Sequence, residues 1–150
     1  MKKILILGAS VYQVPLILAA KRMGLYTIVA SMPGDYPGFA LADKVYDINT
    51  IDKEAILRTA LHEKIDGICT TGTDVAVATI GYVCEHMGLA GVSEAAAVRA
   101  TDKALMKECF WENGVSAADF RKAHTLEEVQ LAAREIGFPV VVKRVDSSGS

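Results

Sequence analysis

The chain has 150 residues, 51% of them hydrophobic and 23% charged, and a net charge of −2. Such values describe a globular protein able to bury a core, and they exclude a disordered polyelectrolyte and a basic nucleic-acid or anionic-membrane binder. Cys69, Cys84 and Cys109 lie far apart and form no CxxC pair, so neither a disulfide framework nor a zinc knuckle is expected.

The opening Met-Lys-Lys and its apolar run stop at Gly8, too soon for a signal peptide, and the longest apolar stretch, Val14 to Ala20, is too short to span a bilayer. A cytoplasmic, reducing setting is expected. Ile4 to Leu7 is a short unbroken apolar run, predicted to be a strand buried on both faces. Gly8-Ala9-Ser10 turns the chain into a helix that tolerates Pro15 in its first turn and stops at Gly24. Tyr26 to Ala30 reads as the next strand, Ser31 to Gly38 as a loop with two prolines and two glycines, and Lys44 to Tyr46 as a brief strand. A helix follows from about Asp52 to Glu63, then a strand from Ile65 to Cys69, a turn from Thr70 to Asp74, and a helix from Val75 to His86 stopped at Gly88. Regular alternation with short connections predicts parallel strands joined by right-handed crossovers: an α/β, Rossmann-like, doubly wound sheet over residues 1–95.

The texture changes at Ala96. Thr101 is the predicted N-cap of a helix from Asp102 to about Asn113, ended by Gly114. A strand is expected at Asp119 to Ala123. Thr125 with Glu128 forms a capping-box signature for the next helix, and Pro139 to Val145 is expected to be a strand. Asp146 to Ser150 is a small-residue loop. A sheet strand feeding such a loop should continue into more sheet, so residues 96–150 are expected to be the incomplete start of a second, α+β domain.

Four places could carry chemistry. Gly8-Ala9-Ser10 sits where a doubly wound sheet offers helix-terminal N–H groups to a ligand. The dinucleotide fingerprint G-x-G-x-x-G is not met, because its glycine positions hold Gly8, Ser10 and Gln13; a substrate site and a ligand-free turn both remain open. Thr71, Gly72, Thr73 and Asp74 follow a strand in the same way, and either face the same crevice or cap the next helix. Lys143 among valines must reach solvent at an edge or meet an anion. Lys103, at a helix N-terminus, opposes the macrodipole, a mismatch that solvent tolerates and a bound anion would repair. His62, His86 and His124 are isolated from one another, and no metal-ligand spacing or nucleophilic triad can be read.

The run Ala100-Thr101-Asp102-Lys103, a helix, Gly114-Val115, a strand, the Thr125 helix, and Gly137-Phe138-Pro139-Val140-Val141-Val142-Lys143 before a Ser/Gly loop resembles the start of an ATP-grasp domain. The preceding α/β unit resembles the pre-ATP-grasp domain of the carbamoyl-phosphate synthase large chain, biotin carboxylase and purine-pathway ligases. This resemblance implies an enzyme that uses ATP and magnesium to activate a carboxylate as an acyl phosphate for attack by an amine. It assigns Lys103, Lys143, Ser147, Ser148, Gly149 and Ser150 to ATP, the last four as the beginning of a lid. It leaves Gly8, Ala9, Ser10, Thr71, Gly72, Thr73 and Asp74 as substrate-binding candidates. The metal ligands and catalytic residues are expected outside this chain, which should be an inactive fragment capable of self-association. A non-catalytic α/β binding module, or a nucleotide-cofactor oxidoreductase domain, is the alternative.

Overall fold

Four residues of the Ile4 to Leu7 run enter a strand whose side chains alternate between two cores. The computed structural model describes residues 1–145. Strand β1 (Lys3–Leu7) sends Leu5 and Leu7 to one side of the sheet and Ile6 to the other, and all three are fully buried. Each such burial contributes about 1.5–3 kcal/mol. Strand β1 is central because it is apolar on both faces; it pairs in parallel with β2 (Tyr26–Ser31) and β4 (Gly67–Cys69), and β2 pairs in parallel with β3 (Lys44–Asp47). The order is β3-β2-β1-β4.

Helices cover both faces. Helix α1 (Val14–Arg22) packs Ile17 and Ala20 with Ile6, Ala9 and Val29, and the short α2 (Pro37–Leu41) adds Phe39 and Leu41. On the opposite face α3 (Lys53–Glu63) brings Ile56 and Ala60, and α4 (Val77–Met87) brings Ile80, Val83 and Cys84, to Leu5, Leu7, Ile28 and Ala30. The fold is therefore the expected doubly wound parallel α/β arrangement. Asp52 caps α3 by accepting from the Ala55 N–H at 3.0 Å, and Gly88 closes α4 at φ +63°. Helix α5 (Glu94–Thr101) follows; a Cβ at Gly81 would stand 2.6 Å from the Ala97 Cβ, so this glycine lets α5 lie close on α4.

The chain divides between Val98 and Arg99 into two compact units. The second contains α6 (Lys103–Glu112) and α7 (Leu126–Ile136). Three sequence expectations change here. Thr101 ends α5 instead of capping α6; Asp102 is the cap, its Oδ1 accepting from Ala104 and Leu105 N–H at 2.8 and 2.9 Å. A carboxylate at the helix N-terminus satisfies two orphan donors and the dipole together, which a hydroxyl does less well. Asp119 to Ala123 is not a strand: the segment is tied to α6 by side chains, with Lys107 donating to the Ala118 carbonyl at 3.0 Å, Lys122 paired with Glu108 at 2.7 Å, and Phe120 edge-on to Trp111. Pro139 to Val145 is likewise not a strand, because the described residues offer it no neighbouring ladder. Two helices were not foreseen: α2, which begins inside the supposed Ser31 to Gly38 loop, and α5.

Candidate functional site

The carboxyl ends of β1 and β4 lie side by side, so the turns that leave them are neighbours. Gly8 leaves β1 at φ +98° and donates its N–H to the Ala30 carbonyl at 2.8 Å, continuing the sheet one residue past the strand. After β4, the Thr70 hydroxyl donates to the Leu7 carbonyl at 2.6 Å. Gln13, 2% exposed, joins the two turns: its Nε2 donates to the Thr71 carbonyl, while its Oε1 accepts from the Ser10 N–H at 2.9 Å and the Ser10 hydroxyl at 2.7 Å.

Three glycines allow these segments to touch. A Cβ at Gly8 would stand 2.9 Å from the Gln13 side chain, one at Gly72 would stand 2.6 Å from the Tyr12 Cβ, and one at Gly38 would stand 2.7 Å from the Ala9 carbonyl oxygen. The segment after β2 is thus docked onto the turn after β1, with the Gly38 N–H donating to that oxygen at 2.8 Å. The result is a braced crevice mouth formed by the segments that follow β1, β2 and β4.

Gly8, Ala9, Ser10, Thr71, Gly72, Thr73 and Asp74 are therefore brought together on one sheet edge. Thr73 and Asp74 do not cap α4: its N-cap is the buried Ala76, with no side-chain cap bond. Among the described residues the side chains of Thr71, Thr73 and Asp74 make no hydrogen bond, which leaves them available at the mouth. Cys69, directly beneath, is a packing residue; burial pushes its thiol up to about 11, far from a working thiolate.

Gln13 is the residue that sequence reasoning passed over. Its position beside Ile17 and Ala20 at i, i+4 and i+7 was the available signal, because it places a polar amide on the buried face of α1.

The second unit holds the other candidates. Lys103 opens α6, half-buried, and its N–H donates to the Val145 carbonyl at 3.2 Å, so the helix start meets the chain just before Asp146. Asp102 and Val145 engage three N–H groups there, those of residues 103, 104 and 105. Lys143 is exposed. Ser147, Ser148, Gly149 and Ser150 lie outside the described residues. Among the described residues no three His, Cys, Asp or Glu side chains gather as a metal site, and no helix is long and apolar enough to cross a membrane.

A doubly wound parallel sheet with neighbouring turns at its carboxyl edge, followed by a capped-helix unit, defines a Rossmann-like α/β class. No protein-family model matches the chain. It is 32% identical over 148 residues to the formate-dependent phosphoribosylglycinamide formyltransferase of Wolinella succinogenes, covering 97% of this chain and 38% of that one. It is 34% identical over 90 residues to the alanine–anticapsin ligase of Bacillus subtilis, 60% of this chain and 19% of that one. The phosphoribosylglycinamide synthetase structure from Anaerococcus prevotii superposes with a TM-score of 0.80 at 31% identity, over 97% of this chain and 37% of that chain. The chain is a relative of the ATP-grasp enzymes and corresponds to their N-terminal portion. It spans little more than a third of the length of the formyltransferase relatives it matches.

Proposed function

We propose that this chain is the N-terminal portion of an ATP-dependent carboxylate–amine ligase, with residues 1–95 as its pre-ATP-grasp domain and the ATP-grasp domain beginning at residue 96. The observation that carries the reading is the near end-to-end match, in sequence and fold, to the formate-dependent formyltransferase and the phosphoribosylglycinamide synthetase. One relative is named for a carboxylate, formate, and another for joining alanine to anticapsin. Both names fit one chemistry of the carbamoyl-phosphate-synthase-like type. A carboxylate oxygen takes the γ-phosphoryl group of ATP, releasing ADP. The amine then attacks the acyl carbon and expels phosphate.

The crevice residues Gly8, Ala9, Ser10, Thr71, Gly72, Thr73 and Asp74 receive the small-molecule substrate, and Lys103 and Lys143 neutralise nucleotide phosphates. The described residues fit ATP through these lysines; they hold no ligand set for magnesium, whose ligands belong elsewhere in the protein. The 150-residue chain alone is inactive, and apolar residues exposed on its second unit, among them Phe138, Val141 and Val142, promote self-association of the isolated chain.

The test uses the full-length protein with ATP, magnesium, panels of small carboxylates and amines, and carboxylate oxygens labelled with ¹⁸O. ADP formation dependent on a carboxylate, with label appearing in the released phosphate, is the expected result. Carboxylate-independent ATP hydrolysis, or product formed without label transfer, overturns it.

A further inference from the structure

We propose that Gln13 bars anions from the turn after β1, so that a substrate lodged at this edge presents an uncharged or cationic group there and not a phosphate or carboxylate. A strand–turn–helix of this kind ordinarily attracts anions, because N–H groups at the turn and at the helix start converge with no internal partner. Here four of them have partners. Gly8 N–H is spent on Ala30, Ser10 N–H on Gln13 Oε1, Tyr12 N–H on the Ser10 Oγ at 3.3 Å, and Gln13 N–H on the Ser10 carbonyl at 3.0 Å. Pro15, in the first turn of α1, has no N–H to offer. The Ser10 hydroxyl, a further donor that an anion would use, is also turned to Gln13 Oε1.

The amide oxygen of Gln13 therefore stands where an anion's oxygen would stand. Gly8 confirms the arrangement sterically. Its missing Cβ makes room for the Gln13 side chain, 2.9 Å away, in place of the ligand that a glycine in this position usually admits. The other end of the amide donates to the Thr71 carbonyl, so Gln13 cannot swing aside without leaving a buried donor and acceptor unpaired. An anion would have to recover that cost before gaining any affinity.

This inference is independent of the ligase reading, since it concerns only donors within the first unit. The probe is inorganic phosphate, titrated into the ¹⁵N-labelled protein to tens of millimolar while the Ser10 amide is followed by NMR. In the wild type the Ser10 resonance stays fixed. In Gln13→Ala, which frees the Ser10 N–H and hydroxyl, it shifts in a saturable, phosphate-dependent way. A saturable shift of Ser10 in the wild type overturns the proposal, and so does a folded Gln13→Ala protein whose Ser10 stays silent. Should Gln13→Ala not fold, Gln13→Met, which keeps the volume and removes the acceptor, takes its place with the same two readings.

Discussion

Gly38 donates its N–H to the Ala9 carbonyl across 2.8 Å, and the same oxygen would lie 2.7 Å from a Cβ at position 38. The contact is backbone against backbone, so no flexible side chain can yield. Gly38→Ala is therefore expected to lower stability by about 1–3 kcal/mol, the usual cost of overpacking. Thermal unfolding followed by circular dichroism should show a depressed Tm, and an unchanged Tm would mean that this loop is not docked on the turn after β1.

At the opposite, amino-terminal edge of the sheet, two carboxylates are expected to govern acid stability. Glu63, 5% exposed, accepts from the Lys44 ammonium and the Tyr46 hydroxyl and pairs with Lys3 at 3.2 Å. The Lys44 and Tyr46 hydrogen bonds hold its carboxyl down at about 2. Asp43, bonded to Lys21 at 2.7 Å and to the Thr27 N–H and hydroxyl at 2.8 Å, is likewise held at about 2, with Lys21 the largest cause. Both values lie below those of free carboxylates, so the stability they confer is present above about pH 4.5 and is lost as pH falls toward 2. Tm measured from pH 6 to pH 2 should fall through that window, and Glu63→Gln should flatten the fall. A Gln variant with the wild-type profile would remove Glu63 from the account.

The cap reassignment can be checked directly. Asp102→Ala removes the acceptor for two N–H groups and should cost the second unit about 0.5–2 kcal/mol. Thr101→Ala should cost less, because Thr101 ends the preceding helix. Denaturant titrations of the two variants give the comparison, and a larger loss for Thr101→Ala would restore the hydroxyl as the cap.

Nucleotide binding should require more chain than the 150 residues. With Lys103 and Lys143 as the proposed phosphate contacts, a triphosphate would be partly enclosed, and few contacts would offset the entropy of binding. Calorimetry with ATP and magnesium is expected to give negligible heat for this chain and clear binding for the full-length protein, weakened by Lys103→Ala. Equal affinities for chain and full-length protein would place the nucleotide elsewhere.

The first unit was legible because its signals are local and agree with one another. Leu5, Ile6 and Leu7 announce a doubly buried strand, Pro15 and Gly24 bracket a helix, and the alternation of elements dictates parallel pairing. Asp119 to Ala123 and Pro139 to Val145 misled for the converse reason. Their β-branched and aromatic residues suit a strand, but a strand exists only through a ladder, and pairing is a property of distant segments. That the turns after β1 and β4 share one sheet edge was legible from the strand ends alone. Gln13 was not, since nothing in a lone glutamine says that its amide will be clasped by Ser10 on one side and by Thr71, 58 positions on, at the other.

Helix α7 has a pronounced apolar stripe yet buries none of its residues, and Val129 and Ala133 line an open groove of about 350 Å³ with Phe138, Val140 and Val142. A helix held by its own caps and by so little packing sits at the low end of a protein's range of local stabilities. Amide protons of α7 should exchange with solvent many times faster than those of β1, and a protease added under native conditions should cut near Leu131 long before it reaches the sheet. The chain thus carries a graded rigidity: a firm frame around the crevice, followed by a helix that opens first.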